Sequence, residues 1–351
     1  MSLAEYIRAM PKAELHVHLE GTVRPETLLE LAAGNGVSLP ASDVDGLRRW
    51  YAFRDFDHFV AVYTVICGCL RRPGDFTRAA YEYGRSMAAQ NIRYAEVTFS
   101  PGTHVLRPGG LAWDELLDAV NAGRARARAE FGVEMRWIPD IVRCNPETAL
   151  TVAGWLVSDR SRAGGVVALG LGGPEVGYPP EWFAEAFALA LRHGMHSNPH
   201  AGETVGPESV WGALRTLGAE RIGHGVRAIE DPALLEHLEA RQIPLEVNPT
   251  SNLRLGVYPS YAAHPLKRLV EAGLLVTVNS DDPTLFNTTL VDEYRHAVAD
   301  CGLSLGELEE VAINAVRAAY LSPDEKARLV TEFEEKCALL RAEYGIEEAD
   351  E

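Results

Sequence analysis

The sequence predicts an α/β protein of the TIM type, a (β/α)8 barrel. Three observations carry that expectation. Short apolar runs alternate with longer stretches of helical period along most of the chain. The candidate strands number eight, the strand count of such a barrel. A chain of 351 residues with 47% apolar content can also bury one large core, so residues 1–351 are read as a single domain.

In chain order the expected strands are Glu14–Leu19, Arg93–Phe99, Val133–Ile138, Val166–Leu171, Met195–His200, Arg221–His224, Ile243–Asn248 and Leu275–Asn279. Helical patterns cover Pro25–Ala33, Asp75–Gln90, Trp113–Glu130, Pro180–His193, Pro207–Leu217, Pro232–Ala240 and His264–Ala272. Pro25, Pro180, Pro207 and Pro232 fall near helix starts, where a missing amide hydrogen costs nothing. Residues Leu39–Leu70 fit no single strand and helix unit. They predict a helical insertion after the first strand, emerging on the catalytic face either as a lid or as scaffold decoration. Additional helices are expected at the termini, and the acidic stretch 347–351 is expected to fray.

Charge narrows the partners. Lys and Arg number 33 against 50 Asp and Glu, a formal charge of −17 that disfavours nucleic-acid polymers and anionic membranes. No stripe of lysine and arginine interleaves with aromatics. Five dispersed cysteines without a CxxC pair suit a reducing cytoplasm better than a disulfide framework. The opening MSLAEYIRAMPKAELHVHLEG carries charges throughout, so neither a secretory leader nor a membrane span is expected.

The residues able to do chemistry gather at strand ends, where a parallel barrel brings together positions far apart in sequence. Alternation along the first strand puts His16 and His18 on one face, where two imidazoles can chelate one ion. The fifth strand ends in His200-Ala201-Gly202-Glu203: His200 would complete a three-histidine set, and Glu203 would serve as a proton shuttle. In Gly223-His224-Gly225 the imidazole is placed to orient an attacking hydroxide or a developing tetrahedral centre. After the eighth strand, Asp281 and Asp282 are adjacent acids that need a compensating cation, one as ligand and the other as acceptor for substrate or water. His58, His104, His193, His196, His237, His264 and His296 lack comparable spacing and read as surface or packing residues, with His58 able to reach the mouth through the insertion.

Four stretches, PKAELHVHLEG at 11–21, HAGE at 200–203, HG at 224–225 and NSDDP at 279–283, resemble the adenosine deaminase family of the amidohydrolase superfamily. The resemblance runs from Pro11 to about Tyr294. It implies one Zn2+ per chain on His16, His18, His200 and Asp281, with Glu203 protonating the purine N1 and His224 holding the attacking hydroxide. It further implies that Asp282 accepts a hydrogen on the N7 side and that the Gly173 amide meets N3, one residue of register separating Gly173 from Gly172. The reaction implied is hydrolytic removal of a 6-amino group, consuming water and releasing ammonia and a 6-oxopurine.

The substrate expected from this resemblance is adenosine or 2'-deoxyadenosine. Free adenine and a larger adenine nucleoside such as aminodeoxyfutalosine are the alternatives. Glu20 stands where many adenosine-cleaving relatives have an aspartate that contacts ribose, so the longer acid either reaches a sugar hydroxyl or fills the sugar space. Ser280 stands where many nucleoside deaminases show threonine, and Asn248 where relatives commonly carry cysteine. A noncatalytic purine-binding protein on the same barrel is the alternative of a different class; the intact ligand and acid positions oppose it.

Overall fold

A regular strand alternates inward and outward positions, and an extra residue resets that alternation. In the computed structural model, which describes residues 2–344, β1 (Lys12–His18) has such an irregularity between Glu14 and Val17: Glu14 accepts from Tyr83 on the surrounding helix Pro73–Ala89, while His16 and His18 gather at the barrel mouth. All seven positions are buried. The strand is covered on both sides, by the barrel interior and by the surrounding helices.

The remaining strands follow in order: β2 (Ile92–Phe99), β3 (Glu134–Val142), β4 (Ala168–Gly172), β5 (His196–Ala201), β6 (Ile222–His224), β7 (Leu245–Val247) and β8 (Val276–Val278). Each pairs in parallel with the next, in the order β1 to β8. A parallel bridge between Val17 and Asp281 brings the last strand back to the first. The eight strands and the surrounding helices thus form the expected TIM-type barrel.

The insertion is helical, with helices Val44–Trp50 and Phe56–Cys69. Its second helix is pinned to the mouth through Phe59, whose ring stacks on Phe286 at 5.4 Å. The helix Leu305–Ala318 packs against β1 and β8, and its Val316 joins Ala13, Leu15 and Phe333 of the following helix Pro323–Tyr344 in a small apolar cluster. The acidic stretch 347–351 lies outside the described residues. Among the described residues no helix is long and apolar enough to cross a membrane, and all five cysteines are free thiols.

Several boundaries differ from the sequence expectation for identifiable reasons. Strand β3 runs on to Val142, past Pro139 and the polar Asp140, which break the apolar run but keep the parallel pairing with β4. The expected Pro180–His193 helix is a 3-10 turn at Pro180–Phe183 followed by helix Ala184–Arg192. The expected His264–Ala272 helix shrinks to Leu266–Glu271, since Pro265 marks its start. Helix Ala149–Leu156 was missed, its Thr151 and Val152 being β-branched and its length short.

The seam between β8 and β1 is closed largely by side chains. Asn279 Oδ1 accepts from the Leu15 and His16 amides at 2.8 and 3.2 Å, and Glu14 accepts from the Ser280 amide at 3.1 Å. Asn279→Ala leaves two buried amides without an acceptor and should lower stability by about 2–4 kcal/mol. Denaturant unfolding measures this; an unchanged midpoint would show that the seam does not need the side chain.

Candidate metal centre and active site

Ligand atoms from four strands converge where the seam opens at the C-terminal ends. His16, His200, His224 and Asp281 present atoms that lie within 4.8 Å of one another. His18 joins them, its Nε2 lying 3.2 Å from His200 Nε2 and 3.4 Å from Asp281 Oδ1. His16 Nε2 lies 3.5 Å from the same oxygen and has no hydrogen-bond partner. Donors set ~3.3 Å apart match the edge of a tetrahedron with arms of 2.0–2.1 Å, the usual zinc-to-nitrogen length. Two imidazole nitrogens facing each other across such an edge are natural ligands of one cation, and the donor set therefore fits a divalent ion.

Electrostatics point the same way. Burial lowers the proton affinity of His200, and the neighbouring His16, His18 and His224 lower it further, leaving a neutral ring able to ligate. Burial also opposes a charge on His16, but Asp281 and Glu246 outweigh it and push the ring up to about 10. A cation beside these carboxylates would take over the role of that proton. Burial opposes ionisation of Asp281, yet its histidine neighbours hold it well below the usual carboxylate range.

His16 is oriented from beneath. Its Nδ1 meets Glu246 Oε2 at 2.9 Å, and Arg221 bridges Glu246 to Glu96 at 2.8 and 2.5 Å. A carboxylate on the far nitrogen directs Nε2 at the centre, the usual support for a metal-bound histidine.

His224 is held differently. Its Nδ1 faces the side-chain amides of Asn248 and Asn252, each at 3.2 Å. Asn248 also donates to the Glu246 carbonyl at 3.1 Å, so its nitrogen is the group turned toward His224. His264 accepts the Leu266 amide on Nδ1 and meets Asn252 Oδ1 through Nε2 at 3.0 Å, which turns the Asn252 nitrogen toward His224 as well. Nδ1 is thereby an acceptor and Nε2 carries the hydrogen. Burial keeps the ring neutral, its pKa pushed down to about 3. His224 Nε2 lies 3.8 Å from Glu203 Oε2 and 3.7 Å from Asp281 Oδ2, and both His224 and Asp281 adopt left-handed backbone, φ +61° and +62°. Asn248 is thus a polar partner of the site, and His264 is not a packing residue.

Glu203 is buried, with Oε1 unpartnered. Burial, then the charges of Asp281 and Glu175, hold its carboxyl protonated well above the ordinary range. Its loop is fixed by Glu175, whose carboxylate accepts from the amides of Gly202, Glu203, Thr204 and Val205 at 2.6–3.0 Å and from the Ser209 hydroxyl at 2.6 Å. Asp282 is likewise buried and unpartnered at Oδ1, with its proton affinity raised by burial and then by Asp281. Gly21 makes room for it, since a Cβ there would lie 1.8 Å from Asp282 Oδ1.

The cavity over the centre is lined by His18, His200, Glu203, His224, Asp281 and Asp282, with Gly173 just past the end of β4. Gly173, not Gly172, is the lining glycine; its φ is +85°. The insertion supplies the opposite wall through Phe56, Phe59, Val60 and Tyr63. His58 does not line the cavity; its Nδ1 accepts from the Arg54 amide.

Glu20 also stays out of the lining. Its Oε1 takes the Ser100 amide at 3.0 Å and His104 Nε2 at 2.8 Å, and its Oε2 takes the Tyr63 hydroxyl at 3.1 Å. The expected reach to a sugar hydroxyl meets an acid already saturated by protein donors. His104, read from sequence as surface or packing, is one of them. Glu175, Glu246, Arg221 and Asp140 were missed. Inward parity on a strand could have flagged Asp140 and Glu246, but Arg221 and Glu175 had no local signal.

Comparison with known proteins agrees with this geometry. An aminodeoxyfutalosine deaminase of Streptomyces coelicolor is 43% identical over 95% of this chain and 86% of its own. The crystal structure of an adenine deaminase from Arthrobacter aurescens, 35% identical, superposes with a TM-score of 0.88 over 93% of this chain and 99% of its own. An amidohydrolase from Burkholderia ambifaria with bound zinc, 28% identical, gives 0.89 over 99% and 96%. Residues 11–336 match the adenosine deaminase family, and the chain belongs to that family of hydrolytic deaminases.

Proposed function

We propose that this enzyme removes the 6-amino group of an adenine ring carried on a larger nucleoside of the aminodeoxyfutalosine type, with free adenine as the second substrate to consider. The carrying observation is the cluster of imidazole nitrogens and an ionised carboxylate set beside a second carboxyl that burial keeps protonated. Adenosine, the substrate expected from the sequence, gives way because the relatives above are named for the two alternatives. The apolar wall of Phe56, Phe59 and Tyr63 supports a bulky substituent, and the saturated Glu20 leaves free adenine as the competing reading.

Zinc on His16, His18, His200 and Asp281, one per chain, is supported by the donor set and by the zinc-bearing neighbour. A divalent cation held there supplies Lewis-acid activation of water, lowering its pKa to roughly 7 from 15.7. The chain's own residues do the rest. Glu203 hands its proton to ring N1, which makes C6 electrophilic, takes up one proton of the attacking water and passes it to the departing nitrogen, and is reprotonated by the second as the 6-oxo group forms. His224, with its hydrogen fixed on Nε2, donates to the oxygen attacking C6 and holds it in line. Asp282, its proton held by burial and by the Asp281 charge, donates to N7, and the Gly173 amide donates to N3. Ammonia leaves and a 6-oxopurine remains.

Three outcomes are expected. Glu203→Gln should keep metal content and unfolding midpoint while turnover falls by about 10²–10⁴-fold, the usual contribution of a positioned proton donor; near-normal turnover would remove Glu203 from this role. Glu175→Gln should cost about 2–3 kcal/mol, since charge-assisted bonds to buried amides are lost. Faster hydrogen exchange at residues 202–205, with reduced kcat, would confirm that Glu175 holds the acid's loop, and unchanged exchange would refute it. Ammonia release by metal-replete protein on aminodeoxyfutalosine, adenosine and adenine tests the substrate directly. The larger nucleoside should give the highest kcat/KM; adenine ranking first would favour the second reading, and no release from any would refute deamination.

A further inference from the structure

The mouth of the barrel is divided. Strands β1, β5, β6 and β8 carry the cluster and the acid, so the reacting carbon of a bound ring must face that side. The non-reacting edge then points toward the ends of β2, β3 and β4. In that half the cavity is lined by Ser100, Thr103, Asp140, Val142, Gly173 and Pro174 among others, and Asp140 is its one acidic side chain among the described residues.

Asp140 is built into the wall and not left over. It faces inward at the end of β3, opposite Gly170 of β4. A Cβ at Gly170 would fall 2.9 Å from the Asp140 Cβ, and one at Gly172 would fall 2.5 Å from Asp140 Oδ2. Both inward positions at the end of β4 are therefore bare so that this carboxyl can fit. It is buried to 2% exposure, and its Oδ1 has no hydrogen-bond partner in the protein. A carboxyl oxygen taken from water without a partner costs stability. Such a group is retained where a ligand supplies the missing hydrogen. Glu20, the acid that sequence pointed to for this edge, has its oxygens filled by Ser100, His104 and Tyr63.

We propose that Asp140 is a substrate-binding residue that accepts a hydrogen bond from a donor on the N9 side of the purine, either a hydroxyl of an attached sugar or the ring N–H of a free base. The inference rests on the reading of the site as an adenine-type deaminase, which places the reacting edge at the cluster. Asp140 takes no part in the proton transfers at C6 and N1; it fixes the far end of the ring and discriminates by what that end carries. Burial pushes its pKa up to about 7 and the Glu20 charge adds to the rise, while a hydrogen bond from Ser100 opposes it; Oδ1 is the oxygen left for a ligand.

The test uses Asp140→Leu, close in size and without polar atoms, alongside Asp140→Asn. Three purines separate the sources: adenosine, which carries hydroxyls; adenine, which carries the ring N–H; and 9-methyladenine, which carries neither. kcat/KM is read for each, or Ki against the best substrate where turnover is slow. D140L should lower specificity by about 10- to 100-fold for adenosine, adenine or both, the range for a hydrogen bond to a charged group. It should leave 9-methyladenine unchanged within about 2-fold, and it should keep or raise the unfolding midpoint, because an unpartnered buried carboxyl has been removed. The purine that shows the loss identifies the donor. Equal losses on all three, no loss on any, or a D140L protein less stable than wild type would overturn the assignment. Wild-type protein that neither deaminates nor binds any of the three would refute the deaminase reading itself, a distinct result.

Discussion

The β8 to β1 seam is the contact on which the site depends. Strand pairing there is reduced to one bridge, in which the His18 amide donates to the Asp281 carbonyl at 2.8 Å and the Asp281 amide to that of His16 at 3.1 Å. The residues that close the barrel are thus the residues whose side chains form the cluster. Asp281 reaches this position only by adopting φ +62°, a conformation that costs an aspartate about 1–3 kcal/mol when it is held in a strained region. Asn279 and Ser280, the two residues before it, are fixed to β1 through the Leu15 amide and the Glu14 carboxylate and hold it there. A cation gripped by both sides of the seam would add its binding free energy to closure, so folding and ligation share one set of contacts.

Below the mouth the barrel interior is charged, and it is organised so that each acid has a different fate. Glu246 is opposed by burial but kept ionised by Arg221 and His16, and it serves to aim an imidazole. Glu203 and Asp282 have no such cation, so burial and the charge of Asp281 keep them protonated. Carboxyls a few ångströms apart are thereby sorted by their neighbours into an ionised one, Asp281, and protonated ones, Glu203 and Asp282. A mouth lined by like acids can be stable only in this way, because adjacent buried carboxylates cannot all be ionised.

What the sequence made legible follows from range. His16 and His18 declare themselves through a period of two, and His200, His224, Asp281 and Asp282 each sit at the end of an apolar run. These are local signals. The supports are not local: Glu175 serves amides some thirty residues on, and Arg221 joins Glu96 to Glu246 across the interior. His264 reaches His224 only through Asn252. The partners of Glu20 are hidden for the same reason. Its place two residues after His18 suggested an outward reach, but the tertiary fold surrounds it with three donors, one of them on the insertion. The strand ends of β3 and the helix at Ala149–Leu156 were blurred by an inward polar residue and by β-branching, where propensity and burial disagree.

Under the proposed reading, the division of the mouth lets the reacting groups stay fixed while the far side of the cavity varies. The groups proposed to act at C6 are bound to the backbone seam, to a buried ion-pair chain and to the Glu175 carboxylate, so each is expensive to move. The opposite half is made of a strand-end acid, a glycine turn and an inserted helix, none of which carries the cluster. Changes there alter what the ring's far edge meets without disturbing the reacting atoms. That separation is consistent with relatives of this chain named for aminodeoxyfutalosine and for adenine while sharing its barrel over nearly their whole length. It also assigns the insertion a definite part: its apolar face closes the cavity from above and sends Tyr63 down to Glu20, so the length of the acid at position 20 and the shape of the wall are set together.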